Sequence, residues 1–83
     1  MKASMAYVTE IFKIEATGSG AAHKECACGW RVSDRHGQKV LQLDTYGAAD
    51  RKIPGKVSQT LQFDRERASE LLALIRQTFP GID

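Results

Sequence analysis

The sequence predicts an α+β fold: a four-stranded antiparallel sheet followed by one C-terminal helix, in the order β-β-β-β-α. Two observations support this prediction. In four stretches apolar and polar residues alternate, which is typical of strands with one buried face. Near the C-terminus, apolar residues recur at the spacing of an amphipathic helix. Such a helix covers one face of the sheet and leaves the other to solvent or to a partner. The length of the chain predicts that residues 1–83 form a single small domain.

The first two predicted strands run from Tyr7 to Ala16 and from Lys24 to Ser33. In the first strand, Glu10 is the one polar residue on a side that is otherwise apolar. In the second strand, four residues share the side expected to face the core: Cys26, Cys28, Trp30 and Val32. The alternation therefore predicts that both thiols and the tryptophan are buried.

A hairpin is expected after the second strand, because Asp34 to Gly37 contains turn-forming residues and a glycine that tolerates positive φ. The third strand spans Lys39 to Tyr46 and the fourth spans Val57 to Phe63, with the loop Gly47 to Lys56 between them. In the fourth strand, the residues predicted to face inward are Val57, Gln59, Leu61 and Phe63, and those predicted to face outward are Ser58, Thr60 and Gln62.

The predicted helix runs from about Arg65 to Phe79. Asp64 is the expected N-cap, because its carboxylate can accept from the first free backbone N–H groups. Pro80-Gly81 is expected to end the helix. The apolar stripe that we expect to pack on the sheet consists of Ala68, Leu71, Leu72, Ile75 and Phe79.

Composition excludes several classes of protein. Twelve Lys and Arg against ten Asp and Glu give a net charge of +2, so any nucleic-acid binding depends on the local placement of charge. No stretch approaches the roughly 18 apolar residues of a membrane span, and the N-terminus lacks the apolar core of a signal peptide. We therefore expect a cytoplasmic protein without membrane contact, in a compartment where thiols stay reduced.

Four residues could in principle bind zinc: His23, Cys26, Cys28 and His36. The Cys-x-Cys spacing lies on a predicted strand rather than in a Cys-x-x-Cys knuckle, and both thiols share the face of Trp30. Burial as small hydrophobic side chains is therefore favoured over zinc binding, and no metal or cofactor is predicted. The sequence offers His23 and His36 as a base for Cys26 but nothing that fixes either of them in place, and no phosphate-binding glycine pattern precedes the helix. An enzyme is therefore not expected.

Positive charge is concentrated in the middle of the chain: the span from Lys24 to Lys56 contains seven basic residues and four acidic ones. Basic side chains that follow phosphates, together with an aromatic ring that stacks on a base, are the elements of a single-strand binding surface. An ordinary solvated sheet face would account for the same composition. The candidate nucleic-acid-binding residues are Arg31, Lys39, Tyr46, Arg51, Lys52 and Lys56.

Three sequence segments and the helix after them carry a family resemblance: Lys39-Val-Leu-Gln-Leu-Asp-Thr-Tyr46, Pro54-Gly55-Lys56-Val-Ser-Gln and Leu61-Gln-Phe-Asp64. Together they resemble the PC4-like transcriptional coactivators, a family of single-stranded DNA-binding proteins. The resemblance implies a homodimer whose curved sheets bind single-stranded or melted DNA. It matches Gly55 and Lys56 to the Gly-Lys entry of the last strand and places Arg51 and Lys52 in a basic loop.

We therefore expect a small non-enzymatic domain that binds single-stranded DNA or RNA as a homodimer, in transcription or DNA maintenance. The alternative is a protein-binding inhibitor or adaptor, of the type found in phages. Such a module would dock its open sheet face or an edge strand on a larger protein. Binding to nucleic acid weakens steeply with salt, whereas a protein interface changes little.

Overall fold

The computed structural model describes residues 4–16, 23–47 and 56–83. Its elements are the strands β1 (Ser4–Val8), β2 (Ala27–Arg35), β3 (Gln38–Tyr46) and β4 (Val57–Phe63) and the helix α1 (Arg65–Thr78). The predicted α+β class, with four strands before one C-terminal helix, is confirmed. The strand order is β1-β4-β3-β2. The sheet is mixed rather than wholly antiparallel, because β1 runs parallel to β4 while the other two pairs are antiparallel.

Strand β1 lies earlier in the chain than the alternation predicts, and the predicted strand from Tyr7 to Ala16 is wrong beyond Val8. In the parallel register, Val8 pairs with Phe63, the last residue of β4, and α1 begins two residues later. Residues after Val8 therefore have no strand backbone to pair with in β4. Instead, the carbonyl oxygen of Thr9 accepts a hydrogen bond of 2.7 Å from Nη1 of Arg67.

Strand β2 begins and ends later than its predicted range from Lys24 to Ser33. Its start is set by the partner strand, because Tyr46, the last residue of β3, pairs with Ala27. Its end is set by a two-residue turn at His36 and Gly37. Both turn residues have positive φ, 50° and 79°, as a type I′ hairpin turn requires.

Helix α1 begins where the sequence predicts and ends one residue before the predicted end. Oδ1 of Asp64 accepts a hydrogen bond of 2.7 Å from the backbone N–H of Arg67, which confirms the predicted N-cap. Oδ2 of the same carboxylate accepts from the Tyr7 hydroxyl at 3.4 Å and so links the helix start to β1. In the described ranges, no helix combines the length and the apolar character needed to cross a membrane.

The apolar stripe of α1 does not pack on the sheet as predicted. No residue of the helix is buried, and Leu72, Ile75 and Phe79 remain exposed. Near its start, Ala68 lines an apolar groove together with Phe63. The helix therefore covers the sheet only in part, and most of its apolar stripe is left without a partner among the described residues.

Two cross-strand rows of side chains lie on the helix side of the sheet. The first row consists of Val8, Phe63, Leu41 and Val32, and the second consists of Ala6, Leu61, Leu43 and Trp30. Phe63, in the first row, is only 7% exposed, whereas Trp30, at the end of the second row, is 71% exposed. The predicted burial of Trp30 and Val32 is therefore wrong, because β2 is an edge strand and the helix packs mainly against β3 and β4.

The sheet face away from the helix holds most of the deeply buried side chains. Val40 is 2% exposed, and the polar residues Gln42 and Thr60 are each 4% exposed. The prediction that Thr60 faces away from the helix is correct. The expectation that this face is open to solvent is wrong at Gln42 and Thr60. Leu61, predicted to face inward, is on the helix side and yet 43% exposed.

Replacing Asp64 with alanine removes the N-cap acceptor and the partner of the Tyr7 hydroxyl together. We expect the free energy of unfolding to fall by about 1 kcal/mol, the usual cost of losing an N-cap. Urea unfolding followed by circular dichroism, at one fixed protein concentration, measures this change. Asp64→Asn can still accept from the N–H of Arg67 and should remain close to wild type. A variant Asp64→Ala as stable as wild type would contradict the capping role.

Candidate nucleic-acid interface

The two edge strands of the sheet are joined across the face away from the helix. Cζ of Arg35, on β2, lies 3.8 Å from the ring centroid of Tyr7, on β1. In a flat sheet these strands would be about 14 Å apart, because neighbouring strands are separated by about 4.8 Å. The twist of the sheet brings diagonal corners closer together, and the two long side chains span the remaining distance. We therefore call this side of the sheet the concave face.

A depression of about 240 Å³ lies in the concave face, and all four strands contribute to its lining. The lining includes Met5 and Tyr7 from β1, Arg31 and Arg35 from β2, Gln42 from β3 and Gln62 from β4. The two guanidinium groups supply positive charge, whereas the amides supply hydrogen-bond donors and acceptors. The depression thus combines attraction for an anion with groups that can bind a neutral polar molecule.

A directional chain of hydrogen bonds runs along the floor of the concave face. Oγ1 of Thr60 donates to Oδ1 of Asp44 at 2.7 Å, and Nε2 of Gln42 donates to both Asp44 oxygens at 3.1 and 3.3 Å. Nε2 of Gln62 then donates to Oε1 of Gln42 at 2.8 Å. An ionised carboxylate only accepts hydrogen bonds, so Asp44 determines which end of each amide faces its neighbour.

Tyr46 lies on the concave face, against Gly29 of the neighbouring strand. A Cβ atom at position 29 would lie 3.3 Å from Cε1 and 3.6 Å from the hydroxyl oxygen of Tyr46. The missing side chain of Gly29 therefore lets the ring lie close to β2. A half-buried ring supported in this way can offer its outer side for stacking.

The structure separates the predicted binding residues. Arg31 and Tyr46 lie on the concave face, Arg31 within the depression. Lys39 does not join them, because it alternates with Val40 along β3 and therefore lies on the helix side, where it lines the apolar groove. Its predicted place in a common surface with Arg31 is wrong for this reason.

The remaining predicted residues precede β4 in the sequence. Lys56 is exposed and immediately precedes that strand, at the end where Val57 pairs with Tyr46. Arg51 and Lys52 lie outside the described residues. The described part of the chain therefore places Lys56 beside the Tyr46 end of the sheet.

Arg35 and Tyr7 are not among the binding residues that the sequence predicts. The turn pattern places Arg35 in the turn, but recognising His36-Gly37 as a two-residue turn extends β2 and places Arg35 on the face of Arg31. The alternation places Tyr7 at the start of a strand whose bounds are wrong. Its alternation with Val8 does indicate the side of the strand on which it lies, but not the contact with Arg35.

The predicted burial of Cys26 and Cys28 is wrong, because both are exposed free thiols. Cys26 precedes the first paired residue of β2, and Cys28 lies on the uncovered edge strand. His36 forms part of the hairpin turn. Among residues 4–16, 23–47 and 56–83, no three His, Cys, Asp or Glu side chains are grouped so that they could hold a metal ion.

Replacing Asp44 with alanine leaves the buried donors of Gln42 and Thr60 without their acceptor. We expect a loss of about 2 kcal/mol in the free energy of unfolding, because unsatisfied buried polar groups are costly. The midpoint of urea unfolding measures this loss. Glu25→Ala, which removes an exposed carboxylate, is the control and should change stability by less than about 0.5 kcal/mol. Equal stability of the two variants would show that the chain of hydrogen bonds contributes nothing.

Comparison of the chain with family models, curated proteins and solved structures finds no match in any of the three. The resemblance to PC4-like coactivators therefore stays a prediction. The concave face and the exposed apolar side of the sheet are the features from which a function can be inferred.

Proposed function

We propose that the protein binds single-stranded nucleic acid through the concave face, without catalysing a reaction. The observation that carries this proposal is the placement of two arginines and two tyrosines on one face: Arg31, Arg35, Tyr7 and Tyr46. Arginine contacts phosphate oxygens through its planar fork of N–H groups, and aromatic rings stack on unpaired bases.

The shape of the concave face favours a single strand over a duplex. Arg35 and Tyr7 meet across it at 3.8 Å, so a rigid double helix has no open trough in which to lie. A flexible single strand can instead follow the rim and turn individual bases towards the sheet. The proposal therefore specifies unpaired DNA or RNA, with little preference for sequence.

The charges on the concave face are arranged to suit a polyanion. Arg31 and Arg35 are exposed at the depression. The carboxylate of Asp44 is half-buried and engaged by Thr60 and Gln42, so its charge is partly compensated by donors. Lys56 extends the positive charge towards the Tyr46 end, and we propose that Arg51 and Lys52 continue it along the loop.

We also propose a cytoplasmic location and a role in transcription or DNA maintenance. The two free thiols, Cys26 and Cys28, are exposed and suit a reducing compartment. Transcription and DNA maintenance are processes in which unpaired strands arise, so the cellular role depends on the proposed ligand.

Alanine variants of Arg31 and Lys39 provide a direct test. Each variant removes one positive charge, but the two charges lie on opposite sides of the sheet. Arg31→Ala should weaken binding of a labelled mixed-sequence single strand several-fold and reduce the salt slope by about 0.7 for one lost phosphate contact. Lys39→Ala should bind as wild type does. Fluorescence anisotropy at several salt concentrations measures both quantities.

Two results would count against the proposal. One is the absence of binding at low salt. The other is an equal loss of affinity in Arg31→Ala and Lys39→Ala, which would indicate attraction by net charge rather than by the concave face. The triple change Arg51→Ala, Lys52→Ala and Lys56→Ala then measures the contribution of the basic residues that precede β4 in the sequence.

We propose further that two copies associate through the helix side of the sheet. Six large apolar side chains are exposed there and on the helix stripe: Trp30, Val32, Leu61, Leu72, Ile75 and Phe79. Large side chains offer about 150–250 Å² each when fully exposed, so this apolar surface amounts to roughly 600 Å² per copy. A standard interface buries about 800 Å² per partner, somewhat more than half of it apolar.

A second copy of the chain is the favoured partner of this apolar surface, because the chain has little core of its own. Val40 and Phe63 are the only buried apolar residues in the described parts of the chain. A domain of this size is marginally stable alone, and association supplies the missing burial. Because the apolar side and the concave face are opposite faces of one sheet, a dimer formed in this way leaves the nucleic-acid surface free.

Trp30 is the single tryptophan and reports directly on this association. We expect a dimer by sedimentation at tens of micromolar, and an emission maximum that shifts to shorter wavelength as protein concentration rises. Phe79→Asp should yield a monomer, because it places a charge in the apolar patch. Met5→Asp, at an exposed position on the concave face, should remain a dimer. A wild-type monomer at tens of micromolar would contradict the proposal.

The same apolar side favours one alternative function, a module that binds a different protein. A monomer that fails to bind any single strand would support this alternative. The exposed edge strand β2 would then be the surface available for adding a strand from the partner.

A further inference from the structure

The hydrogen-bond chain on the concave face gives Gln62 a defined polarity. Asp44 accepts from Nε2 of Gln42, so Oε1 of Gln42 must face the next amide, and it accepts from Nε2 of Gln62 at 2.8 Å. Nε2 of Gln62 retains a second N–H. Its Oε1 accepts no hydrogen bond from another residue in the described ranges. Gln62 therefore retains one acceptor and one donor in the lining of the depression.

An adjacent donor and acceptor form the one pattern that all nucleobases share. On the Watson–Crick edge, adenine and cytosine pair an exocyclic amino group with a ring nitrogen, whereas guanine and thymine or uracil pair a ring N–H with a carbonyl oxygen. A side-chain amide can bind either arrangement through two hydrogen bonds by turning the base over. An amide at this position therefore recognises a base as such, without selecting one base over another.

The rest of the depression suits a planar aromatic ligand. Its volume of about 240 Å³ is small for a drug-sized molecule and sufficient for one base. Met5 is 77% exposed at its wall, and the thioether can pack against a ring. Arg35 lies over Tyr7 at 3.8 Å and provides a flat guanidinium beside the depression, while Arg31 can reach the attached phosphate.

We propose that this depression receives one nucleobase of a bound single strand, and that Gln62 holds the base by paired hydrogen bonds without selecting its identity. Gln42 and Asp44 act as positioning residues, because they orient the Gln62 amide. The inference rests on the proposed single-strand binding and identifies which part of the strand enters the sheet: a base, in addition to the phosphates that the arginines contact.

The experiment compares a labelled mixed-sequence single strand with a strand of equal length in which every base is removed. The two strands carry the same phosphates, so a difference in affinity reports on the bases. Gln62→Leu should weaken binding of the intact strand by roughly three- to tenfold, the effect of losing hydrogen bonds of ordinary strength, and leave the abasic strand unaffected. Gln59→Leu is the matched control, on the same strand but on the helix side, and should change neither affinity.

A direct signal keeps the test independent of the stability of the variant. In the wild-type protein, the side-chain amide resonances of Gln62 should shift when the intact strand is added and remain unchanged with the abasic strand. Strands of only adenine, only cytosine and only thymine should shift them alike and bind within about threefold of one another.

The outcomes separate this inference from the proposed function. If neither strand binds the wild-type protein, the proposed function itself fails. A second outcome is that the intact strand binds the wild-type protein, but Gln62→Leu lowers the affinity for both strands equally or for neither. In that case the protein binds single strands and the proposed base subsite is wrong. A difference of more than tenfold among the three homopolymers, with the Gln62 amide shifting, would overturn the lack of base selection.

Discussion

Strand β4 passes directly into helix α1 at Asp64, and much of the structure depends on this junction. Asp64 caps the helix through Arg67 and accepts from Tyr7, so it joins β1, β4 and α1. Because β4 ends at Phe63, the parallel strand β1 has no partner after Val8. The junction also places Phe63 beside the first turns of the helix, whereas apolar side chains farther along the helix, such as Ile75, remain exposed.

Several side chains of the sheet are buried or exposed in the opposite way to what amphipathic strands suggest. The helix side contains the larger apolar side chains, yet Trp30 and Leu61 remain open to solvent. The concave face contains polar side chains, yet Gln42 and Thr60 are nearly inaccessible. Both side chains lie in the depression that Tyr7 and Arg35 also line. Their burial is tolerated because each of these buried side-chain donors has an acceptor.

This division gives the proposed functions separate surfaces. The concave face presents arginines, tyrosines and an oriented amide, which together suit an unpaired nucleic-acid strand. The helix side presents apolar surface that suits a second copy of the chain. Neighbouring residues of β3 thus lie on different sides of the sheet: Lys39 is on the helix side, whereas Val40 is on the side of Gln42. The alternation of side chains along a strand is what keeps the two surfaces distinct.

The sequence by itself determined the α+β class, the bounds of β4, the start of α1 and its Asp64 cap, because these depend on local alternation, helical spacing and capping chemistry. It also named Arg31 and Tyr46 among the candidate nucleic-acid-binding residues, which stays a prediction. Only the tertiary structure decided that β1 is parallel to β4, that Trp30 and both thiols are exposed, and that Arg35 meets Tyr7. Those features depend on where a partner strand ends and on how far the helix reaches. Alternation specifies which side of a strand a residue occupies but not what, if anything, covers that side.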